Sequence, residues 1–312
     1  MAGTAVVFGA GSGLGAEIAR QYVEQGRQVR GVTRTGKGTP EGVEVCRADL
    51  LDRDAAIASS QGASVIHLAA NVPYPDWLTT FPAMVANGIA AAEAANAKLV
   101  LTDNLYAYGP VDGPFDEQTP ERPRGPKEQL RSHLGHTLLD AHARGRVRVT
   151  IGRVSDYYGP DARMSLPDEL VLEPLSRGRN PMWFAPLNMP HTFGYSIDTA
   201  KALIILGDDE RADGRVFHTP AAETLPVSDF IKLAGEVAGR VRRPIRLPTT
   251  TVRLMSVFDR RLRGYHELDH QRTKPWVVDH SAFDNTFGPL PVTGHAEAVK
   301  HTIDWYRANA RN

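Results

Sequence analysis

A glycine-rich loop near the start of the sequence limits the fold more than any other feature. Residues 5–15 read AVVFGAGSGLG, an apolar run followed by a glycine at every second position from 9 to 15. A helical pattern continues from there to Gly26. A strand, a tight turn and a helix N-terminus in this order hold a dinucleotide pyrophosphate on backbone amides. We therefore predict that these residues form a cofactor loop: Gly9, Gly11, Ser12, Gly13, Leu14 and Gly15.

Strand and helix patterns alternate through the first half of the chain, which is typical of parallel sheets. The predicted strands are Ala5–Phe8, Gln28–Thr33, Val43–Ala48, Ser64–Ala69, Lys98–Leu101 and Val147–Ile151. The predicted helices are Ala16–Gln25, Arg53–Ser60, Pro82–Ala95 and Gln129–Ala143. This order predicts an α/β fold with a doubly wound parallel sheet of the Rossmann type.

The second half of the chain has a different texture. Prolines cluster after Gly159 and the regular alternation stops. Further elements are predicted at Phe193–Leu206, Arg215–His218, Val227–Ala238 and Ile303–Ala308. We predict a dinucleotide-binding domain over residues 1–158, to which residues 191–220 return. Residues 159–190 and 221–312 then form a smaller, interleaved C-terminal substrate domain.

Composition narrows the partners. The 36 basic residues balance the 36 acidic ones, so nothing favours nucleic acid or an anionic membrane as a partner. The only cysteine is Cys46, which excludes an internal disulfide and favours the reducing cytoplasm. No apolar stretch approaches the length of a membrane span. The sequence therefore predicts a cytoplasmic protein whose partner is a small molecule.

Two strand ends add to the predicted cofactor site. Asp49 and Leu50 close the third strand, where an acidic side chain can meet an adenine amino group. Leu68, Ala69 and Ala70 close the fourth, where small residues let the backbone approach a ribose and a phosphate. Functional sites in such sheets favour the carboxyl ends of strands, so we predict that all five contact the cofactor.

The end of the second strand predicts the type of cofactor. An acid about 20 residues after the glycines would bind the ribose 2′-hydroxyl, whereas an arginine would accept a 2′-phosphate. Residues 32–35 read VTRT and contain no acid. Arg34, helped by Ser12 and Lys37, therefore predicts a preference for NADP(H) over NAD(H). The alternative is that Arg34 is only a solvated surface residue.

With these features, the chain resembles the short-chain dehydrogenase/reductase superfamily, specifically its extended, epimerase/dehydratase-like branch. The resemblance covers nearly the whole length. Its supporting segments are VIHLAAN (65–71), YAYGPVDGP (106–114), VRVTIGRVSDYYGP (147–160), KPWVVDHSAFDNTFG (274–288) and HTIDWYR (301–307). The glycine spacing is nearer to the short, single-domain branch, with Phe8 where threonine is usual.

The resemblance implies a catalytic set that this chain does not carry. Family members have a serine or threonine after the fifth strand and Tyr-x-x-x-Lys on the next helix. Here the residue aligned with the serine is Asn104, with Thr102 close by, and the helix offers Lys127 and Arg131. The resemblance therefore identifies the chain as an atypical member. It also implies a homodimer through the helices that flank strands four and five.

The substituted residues still permit chemistry. Arg131 stays protonated, so it can bind ribose hydroxyls but cannot act as acid or base. Lys127, desolvated beside Arg131, would have a lowered pKa and could donate a proton near neutral pH. Asn104 could point its amide at a substrate oxygen. The competing interpretation is that Lys127 and Arg131 are solvated helix charges.

Other side chains are candidates for relaying the proton. They are Tyr106, Tyr108, Asp156, Tyr157, Tyr158 and His191. Tyr108 is predicted to be a core residue, and Tyr106 should share its face if the segment stays extended. We include Tyr106 with Asn104, Lys127 and Arg131 in the predicted catalytic set.

One motif points elsewhere. His266-Glu-Leu-Asp-His270 matches the His-Glu-x-x-His zinc signature, in which both histidines share a helix face. The motif is short and lies in a chain of a different fold, so we predict no metal.

The sequence thus predicts an NADP(H)-dependent oxidoreductase acting on a carbonyl or alcohol. Two alternatives stay open, namely a non-redox isomerase or lyase using the same pocket, and an NADP(H)-binding sensor without catalysis.

Overall fold

The computed structural model describes residues 3–162, 164–184, 186–248, 250–251 and 265–309. The strands are β1 (Thr4–Phe8), β2 (Val29–Thr33), β3 (Glu44–Arg47), β4 (Ala63–Leu68), β5 (Lys98–Asp103), β6 (Arg148–Arg153), β7 (Asp156–Tyr158), β8 (Met182–Phe184), β9 (Pro190–His191), β10 (Phe193–Tyr195), β11 (Arg215–His218), β12 (Leu225–Pro226) and β13 (Ile245–Leu247). The helices are α1 (Gly13–Glu24), α2 (Arg53–Ser59), α3 (Trp77–Ala95), α4 (Pro126–Ala143), α5 (Glu173–Ser176), α6 (Ser196–Asp208), α7 (Val227–Val237), α8 (Asp269–Thr273), α9 (Ser281–Phe287) and α10 (His295–Ala308).

The central sheet has seven parallel strands in the order β3-β2-β1-β4-β5-β6-β11. Alternate residues of β1 face opposite sides: Val6 and Phe8 join the core beneath α3 and α4, and Ala5 and Val7 join the core beneath α1 and α6. The doubly wound α/β fold predicted from the alternating pattern is confirmed. Because all seven strands are parallel, their carboxyl ends meet at one edge, which is where such sheets place their sites.

Two strands run further than predicted. β5 continues to Asp103 and β6 to Arg153, and these two residues are partners in the ladder. The sequence pattern ends each strand at its last apolar residue, Leu101 or Ile151. A buried carboxylate opposite a buried guanidinium lets both strands continue, because each charge supplies the other with a partner.

Helix starts were the less accurate part of the prediction. α3 begins at Trp77, so Pro82 lies inside the helix and not at its start. Proline removes one backbone hydrogen bond, and the helix continues through it because Trp77 and Phe81 are both buried. α10 begins at His295 instead of Ile303. The buried face of this helix includes small and polar residues, so the sequence does not show the apolar periodicity by which a helix is predicted.

The short strands β7–β10, β12 and β13, with helices α5, α7 and α10, form a smaller lobe at the carboxyl edge of the sheet. Here β7 pairs with β10, β8 with β13, and β9 with β12. Its core is aromatic, with Trp183, Phe193 and Phe230 almost fully buried. The predicted domain boundaries stay a prediction.

Candidate active site

The glycine loop joins β1 to α1 and leaves no room for side chains at two positions. Gly9 has a φ of 90°, and a Cβ placed on it would lie 2.6 Å from the Ala70 Cα. A Cβ on Gly15 would lie 2.4 Å from the Gly9 carbonyl oxygen. The Ala69 N–H donates to the Phe8 carbonyl at 3.1 Å, so the ends of β1 and β4 meet here. The structure therefore brings Gly9, Ala69 and Ala70 together.

The N-terminus of α1 has the properties of an anion site. Ser12 is its exposed N-cap, with extended backbone angles (φ −169°, ψ 166°) and no capping hydrogen bond from its side chain. The first turn contains no acidic residue, and Leu14 anchors it in the core. Uncapped amides and the helix dipole both attract negative charge. These residues fit the pyrophosphate of a dinucleotide.

The chain after β2 folds back onto the glycine loop. A Cβ on Gly38 would lie 2.4 Å from the Gly11 carbonyl oxygen. Arg34 lies exposed just before this contact, and within the described ranges no group pairs with its guanidinium. The Arg47 Nε donates to the Arg34 carbonyl at 3.2 Å, so a second exposed arginine lies beside it. Sequence reasoning missed Arg47, although its place at the end of the strand next to β2 was a usable signal.

The loop after β3 is held firmly. The Leu51 N–H donates to Asp49 Oδ1 at 2.9 Å, and Asp49 itself is exposed. Leu50 is buried, and its carbonyl accepts from Asn87 Nδ2 at 2.8 Å, which ties the loop to α3. Leu68, at the end of β4, is also buried. Contact of these residues with an adenine or a ribose stays a prediction.

The segment after β5 turns sharply. Asn104 Oδ1 accepts from the Tyr106 N–H at 3.1 Å, and residues 106–108 form a 3-10 turn. Tyr106 stacks on Trp77 with ring centres 5.7 Å apart. Tyr108 points elsewhere, is buried as predicted, and its hydroxyl lies 2.7 Å from His218 Nε2. The segment is helical and not extended, so the condition under which Tyr106 and Tyr108 would share a face is not met.

Lys127 is buried near the start of α4. Its Nζ lies 3.9 Å from the centre of the Tyr74 ring and 3.7 Å from Glu267 Oε1. Burial lowers the pKa of the Lys127 ammonium, and Glu267 opposes that shift. The predicted direction of the shift is therefore present. The interacting charge is a carboxylate from the smaller lobe, however, and not Arg131.

Arg131 lies one turn further along α4. Its guanidinium carbon is 4.2 Å from the centre of the Trp77 ring and 4.0 Å from that of Phe81. Its Nη1 donates to Asp103 Oδ1 at 3.1 Å. Arg131 is 4% exposed and Lys127 5%, so the interpretation of both as solvated helix charges is wrong. We call Tyr74, Trp77, Phe81 and Tyr106 the aromatic cluster, since they surround these two cations.

A buried ionic network supports this half of the site. Asp103 lies 3.1 Å from the Arg131 guanidinium and 3.8 Å from that of Arg153. Arg153 also pairs with Glu121, which accepts from the Ser132 hydroxyl at 2.6 Å. Sequence reasoning missed Asp103, Arg153 and Glu121. The signal was present for the first two, because each is a charged residue two positions after the last apolar residue of a predicted strand.

Two of the relay candidates form a pair. His191 Nε2 lies 2.9 Å from Asp156 Oδ2, and the imidazole stacks on Phe193 with ring centres 4.7 Å apart. Burial raises the pKa of Tyr157 to about 12. Tyr158 is also buried, with its hydroxyl bonded to a histidine of α10. Of these four, the Asp156–His191 pair is therefore better suited to proton chemistry than either tyrosine.

The zinc-like motif has other partners. Glu267 pairs with Lys127, and His270 Nε2 lies 3.4 Å from Glu128 Oε1. The side chain of His266 lies outside the described residues. In the part of the chain that the structure describes, no group of three histidine, cysteine or carboxylate side chains could hold a metal.

A family model described as the NAD dependent epimerase/dehydratase family matches residues 5–218. The chain belongs to the NAD-dependent epimerase/dehydratase family. The resemblance to the extended short-chain dehydrogenases/reductases is thereby confirmed, and family members of this kind are enzymes. A search of curated proteins finds no match.

Solved structures share the fold over the whole length. UDP-glucose 4-epimerase from Thermotoga maritima, solved with UDP-glucose, matches with a TM-score of 0.81 and 16% identity, covering 99% of this chain and 100% of that one. UDP-glucose 4-epimerase from Thermus thermophilus, in complex with NAD, gives 0.79 and 16%, covering 98% and 100%. dTDP-glucose 4,6-dehydratase from Bacillus anthracis, in complex with NAD, gives 0.80 and 13%, covering 98% and 97%. At these identities the likeness shows the fold alone.

The helices add one further observation. Within the described ranges, none combines the length and apolar character that crossing a bilayer requires.

Proposed function

We propose that this protein is an NADP(H)-dependent oxidoreductase that interconverts a carbonyl and an alcohol on a small organic substrate, using a non-standard catalytic set. The observation that carries the proposal is the uncapped N-terminus of α1 at the glycine loop, with the guanidinium of Arg34 nearby and unpaired among the described residues. A nicotinamide cofactor bound there would supply or accept the hydride.

The preference for NADP(H) rests on two arginines. Arg34 and Arg47 are both exposed at the carboxyl ends of β2 and β3, and residues 33–38 contain no acid. A 2′-phosphate placed there would meet two guanidinium groups, each suited to bidentate binding. A carboxylate, which would favour the unphosphorylated ribose, is absent from that stretch of sequence.

In the proposed catalytic set, two residues would contact the substrate and two would hold α4 in position. Lys127, whose pKa burial lowers, would hold the proton that the substrate oxygen gains or loses, and the Asn104 amide would hydrogen-bond that oxygen. Arg131 and Tyr106 would position α4 through Asp103 and the aromatic cluster. Binding of the ribose hydroxyls by Arg131 stays a prediction, as does a homodimer.

A titration with NADPH, NADH, NADP+ and NAD+ tests the cofactor assignment. Arg34→Ala should weaken NADPH binding about 10-fold and leave NADH binding unchanged, because only NADPH carries the 2′-phosphate. Arg144→Ala, an exposed arginine directly after α4, is the matched control. Equal weakening of both cofactors in Arg34→Ala would contradict the assignment.

Catalysis is tested at Lys127. Lys127→Met should lower kcat/KM for carbonyl reduction by about 100-fold or more while NADPH binding persists, since it removes the proton donor. Lys232→Met, an exposed lysine on α7, is the control. Activity equal to wild type in Lys127→Met would remove Lys127 from the mechanism.

A non-catalytic NADP(H) sensor is the second candidate. One observation favours it: both α4 cations already have partners, Lys127 in Glu267 and Arg131 in Asp103. The sensor predicts tight NADPH binding with no turnover of any carbonyl compound. Measurable NADPH oxidation that Lys127→Met abolishes would exclude it.

A further inference from the structure

Asp156 lies between the end of β5 and the start of α1. Two residues before it, the Val154 N–H donates to the Asp103 carbonyl at 2.9 Å. Five residues after it, the Asp161 carbonyl oxygen lies 3.7 Å from where a Cβ on Gly13 would stand. The segment therefore runs from the strand end that precedes Asn104 to the predicted pyrophosphate loop. Asp156 lies along that path, at the carboxyl edge of the sheet.

The Asp156 carboxylate is oriented by a rigid neighbour. His191 Nε2 lies 2.9 Å from Asp156 Oδ2, and the imidazole stacks on the ring of Phe193 and meets that of Trp183 edge-on. His191 is 2% exposed, whereas the side chain of Asp156 is 27% exposed. Asp156 is thus the member of the pair that meets solvent at this edge, and His191 fixes its direction from behind.

The charge of this carboxylate is not offset by a lysine or an arginine among the described residues. His191 is its hydrogen-bond partner there. An ionised carboxylate accepts hydrogen bonds from hydroxyl groups and repels phosphates and carboxylates. A substrate that lies against Asp156 therefore binds more tightly if it carries a hydroxyl group there, and more weakly if it carries a negative charge.

We infer that Asp156, positioned by His191, selects an uncharged, hydroxyl-bearing carbonyl compound and disfavours phosphorylated substrates and nucleotide-diphosphate sugars. This inference rests on the proposed function, because it assigns a substrate class to the same site. It separates this chain from the Thermotoga maritima epimerase with the same fold, which was solved with UDP-glucose.

Matched substrate pairs test the selection. NADPH-dependent reduction is measured with dihydroxyacetone and its phosphate, and with glyceraldehyde and its 3-phosphate. Wild type should prefer the uncharged member by about 10-fold in kcat/KM, and Asp156→Asn should remove most of that preference. Asp229→Asn, an exposed carboxylate on α7, is the control. A wild-type preference for the phosphates, or the same preference in Asp156→Asn, would overturn the inference.

A binding measurement keeps this result separate from the proposed function. UDP-glucose is titrated calorimetrically into wild type and Asp156→Asn, each saturated with NADP+. Affinity should rise about 5-fold or more in Asp156→Asn, because a repulsive charge is removed. Equal affinities would overturn the inference. Protein that binds NADPH but reduces no carbonyl compound would contradict the oxidoreductase, and this titration would still decide the role of Asp156.

The positioning role of His191 has its own test. His191→Phe keeps an aromatic ring against Phe193 but removes the hydrogen bond, whereas His191→Gln keeps an N–H donor. We expect KM for the uncharged substrate to rise about 10-fold in His191→Phe, with kcat nearly unchanged and partial recovery in His191→Gln. A thermal melt of each variant reports folding. An unchanged KM in folded His191→Phe would overturn the role.

Discussion

The cofactor half and the catalytic half of the proposed site are built from different chemical groups. The cofactor half uses mainly backbone groups: Gly9 and the N-terminus of α1 supply the cradle, and the exposed guanidinium of Arg34 has no partner among the described residues. The catalytic half uses buried side chains that already bind each other, as Arg131 does with Asp103. We therefore expect the first half to accept a ligand without rearrangement, and changes in the second half to lower the stability of the fold.

Replacing the central carboxylate should sharpen this contrast most. Asp103→Ala leaves Arg131 and Arg153 buried without their shared partner, so we expect unfolding free energy to fall by about 3–5 kcal/mol. Urea unfolding measures the loss, with exposed Asp140→Ala of α4 as control. NADPH affinity of the protein that remains folded should stay near wild type. A loss equal to that of the control would show that the network is not important for stability.

Acid should next lower the stability of the buried groups around His218, at the end of β11. Burial lowers the pKa of His218 to about 4, and its nitrogens contact the Tyr108 hydroxyl and the Asp279 carbonyl. The unfolded chain takes up this proton near its ordinary pKa of 6.5, the folded chain only near 4. This contribution is therefore fully present above pH 6.5 and falls by about 3 kcal/mol as the pH drops towards 4.

Urea unfolding at a series of pH values from 7 downwards measures that loss. His218→Gln should flatten the decline, because it removes one group that protonates on unfolding. His133→Gln, an exposed histidine on α4, should leave the slope as in wild type. Identical slopes in all three proteins would contradict the assignment.

A single methyl group should break the cofactor half. Gly9→Ala places a Cβ 2.6 Å from the Ala70 Cα at a φ of 90°, so we expect NADPH affinity to fall about 100-fold. Gly145→Ala is the control, since it also has a positive φ (68°) but nothing within 4 Å of its Cβ. Calorimetric titration compares them. Equal affinities would show that the loop does not hold the cofactor.

The smallest effect is expected at Arg47. Arg47→Ala should weaken NADPH binding about 3-fold and leave NADH unchanged, because Arg34 still faces the 2′-phosphate. Arg148→Ala is the control, because Arg148 is exposed at the amino end of β6, on the opposite edge of the sheet from the proposed site. A larger loss than in Arg34→Ala would make Arg47 the principal phosphate ligand.

Prediction from sequence succeeded where the determining interactions are local. The alternation of strands and helices gave the parallel sheet, and β11 was found from four residues. It failed at ends that distant partners decide. β5 extends to Asp103 because Arg153 lies opposite, and α3 begins at Trp77 because that ring is buried against the core.

The amino-acid sequence by itself determined the Rossmann-type sheet, the glycine loop and the basic end of β2, because each follows from backbone conformation or from charge within a few residues. Only the tertiary structure decided what Lys127, Arg131, Asp156 and His191 contact. Lys127 is 140 residues from its partner Glu267, and Arg131 is 28 residues from Asp103. Asp156 and His191, which pair with each other, are 35 residues apart. A charge removed from water requires a partner, and only the fold brings that partner close. The ionic network around Asp103 and the orientation of the Asp156 carboxylate therefore depend on the tertiary structure.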